Sequence, residues 1–299
     1  MHTYFDPATD TDAALHLVIA GLAVTLDVQS IDVPARQRLA ARYADFTTSV
    51  ALPGACTVRL CQEPGPPFVD LPARPSVPLP YPLRISVHGP VMDFTSCWEQ
   101  GSMNFATGHG GLTLRPAGSP ENYLRAVYSH LCVAQGGLLL HAAGVARAEA
   151  GYVFFGPSGA GKTTLAQLSQ ECGATVFSDD IVILRRHRAE VWLYGAPFHG
   201  TGAVKMGDPA TAVRANQSVP LRGVFVPLKA KEHALSLLGT TDAVARLMTC
   251  VPFLRGDKAG LAQAVHFCAE LVRTVPVYIL RFRKDSGFWR TIDDTLGTH

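Results

Sequence analysis

The chain has 299 residues, enough for two domains or one large one, and 47% hydrophobic against 17% charged residues supports a sizeable core. A formal net charge of +2, with Lys and Arg scattered apart from Arg185-Arg186-His187-Arg188, excludes a broad cationic face and with it a nucleic-acid partner. Seven cysteines, an odd number with no C-x-x-C pair, fit neither a disulfide framework nor a zinc site, so buried free thiols are expected.

The N-terminus, Met1-His2-Thr3-Tyr4-Phe5-Asp6, lacks the basic start and apolar block of a secretory signal. Residues 15–26 are apolar but interrupted by His16, Gly21 and Thr25 and too short to span a bilayer, so a cytoplasmic chain without a membrane partner is expected. Residues 15–22 followed by 34–43 read as a strand pair, or a strand and then a short helix. Cys56 and Cys61, five residues apart, would face opposite sides of one strand. Residues 64–82 are crowded with prolines, which predicts an extended surface connection. Strands are expected at 83–87 and 111–114.

Ser119-Pro120-Glu121 carries a capping hydroxyl, a proline and an acid where a helix begins, and Gly136-Gly137 ends that helix. Residues 138–145 read as a buried strand that turns back into the apolar strand Tyr152-Val153-Phe154-Phe155. Gly156-Pro157-Ser158-Gly159-Ala160-Gly161-Lys162-Thr163 then satisfies the pattern G-x-x-x-x-G-K-[ST], and Thr164 to Ser169 continues as a helix. Three glycines let the backbone fold round an anion, so that N–H groups and the positive end of the helix point at phosphates. Lys162 adds a charge toward the β and γ phosphates, and the Thr163 hydroxyl suits Mg²⁺, which prefers hard oxygen ligands. The pattern predicts a nucleoside triphosphate site, with ATP and Mg²⁺ as the cofactors.

Gly173 stops the helix, and 174–177 form a short strand that delivers Ser178-Asp179-Asp180. The two acids lie seventeen and eighteen residues after Lys162, one helix and one strand on. In a β-α-β unit that strand can lie beside the first, opening its end onto the same phosphates. Two carboxylates there need a shared cation, and can divide into metal support and proton acceptor. His141 is the third candidate, on the strand before the loop, where it could orient the base. Residues 181–184 and 190–194 read as a hairpin with Arg185-Arg186-His187-Arg188 as its turn. Pro197-Phe198-His199-Gly200-Thr201-Gly202 is a glycine-rich loop placed to cover a nucleotide or its acceptor. Lys205, Arg222, Arg255 and Lys258 are the cations that could neutralise transferred charge, and the sequence does not choose among them. A strand at 223–226, helices at 242–249 and 257–274 and a strand at 277–280 complete the chain.

An ABC-type transporter ATPase is disfavoured, since no Leu-Ser-Gly-Gly-Gln signature and no later apolar strand ending in Asp-Glu is found. Leu140-His141-Ala142-Ala143, the loop 156–163, Ser178-Asp179-Asp180-Ile181-Val182 and the closing run 275–282 together resemble the catalytic domain of HPr kinase/phosphorylase and its relatives. The loop and acid pair are also similar to the nucleotide-binding core of ATP-dependent phosphoenolpyruvate carboxykinase. The resemblance covers about residues 137–285 and implies an α/β fold, a P-loop domain with a mixed sheet over residues 119–299; a smaller α+β domain over 1–118, expected to serve substrate or partner recognition, precedes it. It implies Lys162 on the phosphates, Thr163 and Asp179 on Mg²⁺, Asp180 as the base that deprotonates an acceptor hydroxyl, and His141 beside them. Gly156, Pro157, Ser158, Gly159, Ala160, Gly161 and Thr164 would complete the nucleotide cradle.

Where the HPr kinase signature carries a Glu and an Arg before a glycine, this sequence reads Ala196-Pro197-Phe198-His199-Gly200. Residues 1–136 do not resemble the N-terminal domain of the HPr enzyme, so neither HPr as acceptor nor phosphorolysis is expected. Shorter relatives resemble kinases that modify a Ser hydroxyl of a peptide or protein, including tailoring enzymes for ribosomally made peptides. The expectation is an ATP- and Mg²⁺-dependent kinase acting on such a Ser, with homo-oligomerisation left open. The alternatives are a nucleotide-binding regulator without turnover and a small-molecule kinase.

Overall fold

A computed structural model describes residues 13–69, 83–198 and 216–297. The chain divides into two units, Met1–Tyr128 with Phe253–Asp257, and Ser129–Pro252 with Lys258–His299. Both are α/β in character and each is built on a mixed sheet. Among the described residues no helix is long and apolar enough to cross a membrane.

In the first unit, β1 (Ala14–Ile19) and β2 (Leu22–Ser30) form a hairpin through Ala20 and Gly21, whose φ of 52° and 74° suit the primed two-residue turn that matches strand twist. Both strands alternate: Leu15, Leu17 and Ile19, then Leu22, Val24, Leu26 and Val28 are buried, as a sheet with one covered face requires. Helix α1 (Val33–Tyr43) starts where the Asp32 carboxylate accepts from the Ala35 N–H at 2.7 Å, and it buries Leu39 and Tyr43. The sheet continues with β3 (Thr47–Thr48), β4 (Cys56–Gln62), β5 (Arg84–His88), β6 (Val91–Thr95), β7 (Glu99–Asn104) and β8 (His109–Leu114), in the order β3-β1-β2-β4-β8-β7-β6-β5. Cys56 is buried on β4, and Cys61 has the opposite parity along the strand and faces the other side, as expected.

Helix α2 (Glu121–Ala134) carries the chain into the second unit and ends at Gly136, where φ is 68°. There β9 (Gly137–Arg147) and β10 (Ala150–Phe155) form a second tight hairpin, through Ala148 and Glu149 at φ 49° and 60°. They are followed by α3 (Lys162–Glu171), β11 (Thr175–Ser178), β12 (Ile181–His187), β13 (Glu190–Tyr194), β14 (Ser218–Lys229), β15 (Ala234–Leu237), α4 (Thr240–Thr249), α5 (Lys258–Thr274), β16 (Val277–Phe282) and α6 (Phe288–Leu296). The strand order is β10-β9-β12-β13-β14-β16-β15, with β11 on β9 and β14 also pairing with β10. Strands β10, β14 and β16 run parallel, so their carboxyl ends open at one edge.

Two sequence expectations need correction here. Arg185, Arg186 and His187 are strand residues of β12, and the turn falls on Arg188, at φ 58°. Arg186 is there ion-paired with Glu270 of α5, so the basic run packs a helix onto the sheet. Cys172 is exposed and Cys61 half-buried, whereas Cys56, Cys97, Cys132, Cys250 and Cys268 are buried; burial pushes the Cys132 and Cys268 thiols up to about 12. The proline-rich stretch beyond residue 69, the loop residues from His199 onward and Lys205 lie outside the described residues.

The closing helix α6 completes the core of the second unit. Phe288, Trp289 and Ile292 pack with Tyr152 and Phe154 of β10, Leu165 of α3 and Phe225 of β14. The Trp289 ring meets Tyr152 edge-on at 4.9 Å, and the Arg147 guanidinium lies 4.8 Å above it while donating to Asp293 at 2.6 Å. Phe288→Ala should lower the unfolding free energy by about 3–5 kcal/mol. Arg290→Ala, whose side chain is 89% exposed, should change it by less than about 0.5 kcal/mol; urea denaturation followed by far-UV circular dichroism checks both.

Candidate active site

Between the end of β10 and the start of α3, three glycines adopt positive φ: Gly156 at 144°, Gly159 at 79° and Gly161 at 110°. That alternation curls the backbone and turns successive N–H groups inward. No side chain caps α3 at its start, so its first N–H groups remain directed at the same concavity, which a helix end offers to an anion. The Phe282 ring, at the end of β16, lies against Gly161 so closely that a Cβ there would sit 2.6 Å from a ring carbon. The parallel strand thus braces the loop from below.

Lys162 is only 6% exposed, and its ammonium donates to the carbonyls of Gly156 at 2.8 Å and Pro157 at 3.2 Å, drawing the loop closed. Burial lowers its pKa; the nearby Cys250 thiol and the Asp180 carboxylate act in the opposite direction.

The acidic pair is set by Ser178. Its hydroxyl oxygen accepts from the N–H groups of Asp180 and Ile181, each at 3.1 Å, and its proton is donated to the Phe198 carbonyl at 3.1 Å. This clamp breaks the strand path for two residues and holds Asp179 and Asp180 between β11 and β12. Asp179 is 6% exposed. Asp180 is bonded to His141, Nδ1 to Oδ1, at 3.0 Å; the His141 side chain is 41% exposed and that of Asp180 17%, so both can meet a ligand. The His141 main chain is fixed as well, its N–H donating to the Cys250 carbonyl at 2.8 Å.

The route by which the acids reach the loop differs from the expectation. β11 does not lie beside β10; β9 lies between them. The reason is the β9–β10 hairpin, which occupies one edge of β10 while β14 occupies the other. On one edge of β9, Ala142 is opposite Phe155, the last residue before the loop; on its other edge, Gly144 is opposite Ser178 and His141 opposite Ile181. One strand thus brings loop and acids to the same level and adds its own histidine.

These groups line one cavity of about 350 Å³: His141, Ser158, Gly159, Gly161, Lys162, Thr163, Thr164, Asp179, Asp180 and Lys229. Of the remaining candidates, Gly156 and Pro157 supply the carbonyls that hold Lys162, while Pro157 and Ala160 line an adjoining cavity. Lys229 was not singled out from the sequence; its only signal is its place at the end of a strand parallel to β10. Arg222, Arg255 and Lys258 are not among the lining residues. No group of three or more His, Cys, Asp or Glu able to hold a metal occurs among the described residues. Mg²⁺, which typically takes one or two carboxylates with phosphate oxygens and water, suits the hydroxyl of Thr163 and the carboxylate of Asp179 better than a metal that needs a full protein cage.

The loop glycines differ in a measurable way. Gly159→Ala meets open space and should cost about 1–2 kcal/mol of backbone strain alone. Gly161→Ala adds overlap with Phe282 worth about 1–3 kcal/mol more, and urea titration of the two variants should rank them in that order.

Comparison with curated proteins returns no match. Among solved structures, the Hpr(Ser) kinase/phosphatase from Coxiella burnetii is similar at 9% identity and a TM-score of 0.29, over 53% of this chain and 93% of that one. The family model described as SynChlorMet cassette protein ScmC matches residues 120–297, which include the loop, the acidic pair, His141 and Lys229. That is more than half of the sequence, and the chain belongs to the SynChlorMet cassette protein ScmC family.

Proposed function

We propose that the protein is an ATP- and Mg²⁺-dependent kinase that transfers the γ-phosphoryl group to a Ser hydroxyl of a peptide or protein. The observation that carries this reading is the convergence of a glycine loop, a buried lysine, two consecutive carboxylates and a histidine on one cavity. Phosphoryl transfer asks a protein mainly for positioning and charge neutralisation, and this set offers both.

The loop N–H groups, the start of α3 and the Lys162 ammonium hold the phosphates. Thr163 and Asp179 hold the metal, which supplies positive charge to the phosphate oxygens when bound. Asp180 accepts the proton of the acceptor hydroxyl as its oxygen bonds to phosphorus and the bond from phosphorus to the ADP oxygen breaks. His141, 3.0 Å from that carboxylate, keeps its oxygen turned into the cavity. Lys229 adds a second cation at the cavity wall. In this reading residues 119–299 form the catalytic P-loop domain and residues 1–118 recognise the acceptor or a partner.

A regulator that binds nucleotide without turnover is the second reading. It is favoured by one observation: Ala196 and Phe198, where the resembled signature has a Glu and an Arg nearby, are apolar and fully buried. Radiolabelled γ-phosphoryl transfer to Ser-containing peptides separates the two. Asp180→Asn should lower transfer about 10²- to 10⁴-fold while ATP binding persists, and undiminished transfer would remove Asp180 as the base. Lys162→Ala should instead weaken ATP binding itself. Tight ATP binding without transfer to any acceptor supports the regulator.

A further inference from the structure

We propose that the base and ribose of the nucleotide occupy the second cavity, on the β14 side of the loop, with Arg246 covering the base; this rests on the phosphoryl-transfer reading above. The second cavity, about 500 Å³, adjoins the first and shares Ser158, Gly159 and Lys229 with it. Both volumes fall within the ~300–1,000 Å³ usual for small-molecule sites.

The direction of the nucleotide follows from the placement of its reactive end. The acids and His141 reach the loop from the β9 edge of β10, so the terminal phosphoryl group belongs on that side. A triphosphate held along the loop then leads its nucleoside away toward β14 on the opposite edge of β10. There Val226, Pro227, Leu228 and Ile279 present an apolar wall, and Lys229 and Arg246 are the charged residues of the lining. Lys229 belongs to both cavities, at the passage between them, where the inner phosphates would cross. Arg246 stands on the last turn of α4, an exposed side chain at the mouth.

The chemistry suits a nucleobase. An aromatic ring gains from an apolar floor, and a planar guanidinium stacks on its face. Among the described residues no Asp, Glu, Asn or Gln lines the cavity, so the base would be held by shape and stacking, without a pattern of side-chain hydrogen bonds from them that tells one purine from another.

Photolabelling of the full-length protein with 8-azido-ATP and Mg²⁺, followed by peptide mapping, should mark residues 226–229, 246 or 279; labelling confined to other segments would overturn the assignment. Equilibrium binding of Mg-ATP and of Mg-tripolyphosphate gives the independent check. Arg246→Ala and Ile279→Trp should each weaken ATP about tenfold, by loss of stacking or of space, and leave tripolyphosphate within about twofold. Unchanged ATP affinity in both variants, or equal loss of both ligands, contradicts the nucleoside site while the loop still binds phosphate in the wild type. A wild-type protein that binds neither ligand overturns the phosphate reading itself, and this proposal with it.

Discussion

The register of β9 is the constraint on which the site depends. Backbone ladders on both of its edges fix Phe155, and so the loop that follows, at the level of Ser178 and the acidic pair. The strand's own His141 is opposite Ile181, one residue after Asp180. A shift of one residue between β9 and β12 would turn His141 to the other face relative to Asp180 and part it from the carboxylate it bonds, whereas a shift between β9 and β10 would displace the loop. The spatial relation of lysine, histidine and acids therefore comes from main-chain hydrogen bonds between buried strands, which leaves the long side chains little freedom to stray. Preorganisation of that kind lowers the entropy cost of bringing reactants and catalytic groups into line.

The same site concentrates unfavourable local terms. Three glycines near one another hold positive φ, an ammonium is buried, and two adjacent carboxylates share one cavity. Each is offset by a specific partner: Phe282 braces Gly161, the carbonyls of 156 and 157 receive Lys162, Ser178 holds the turn, and His141 bonds Asp180. The supporting core, with α6 sealing β10, α3 and β14, supplies the stability that offsets these entropic and desolvation costs. Cation and carboxylates line one cavity, a gathering of titratable groups that marks a candidate functional site.

Much of the second unit was legible because its signals are local. A glycine pattern with a lysine, a Ser-Pro-Glu start and short apolar runs between turns each report on adjacent residues, and they locate α2, β9 to β13, α3 and the Asp pair. What was missed depends on partners distant in sequence. β11 was placed beside β10 because a β-α-β unit allows it, but pairing is decided by which edges remain, and the hairpin had already taken one. Lys229 sits 67 positions after Lys162, and nothing near it in the chain marks it; parallel pairing alone brings it to the cavity. The basic run 185–188 read as a turn because charge suggests exposure, yet Arg186 reaches a carboxylate on α5 that the local sequence does not announce. Strand β7 places Glu99, Gly101 and Met103 on its inward face, which weakens the alternation there, and β6 alternates over only five residues. Helix α6 is only nine residues long, and its one local mark is the face shared by Phe288, Trp289, Ile292 and Leu296 between Gly287 and Gly297.

The most direct test is a crystal structure with a non-hydrolysable ATP analogue and Mg²⁺. The triphosphate should lie along residues 156–163, with its terminal phosphoryl group turned toward Asp180 and away from Arg246. A triphosphate bound elsewhere, or held in the loop with that group directed to the β14 side, would contradict this placement.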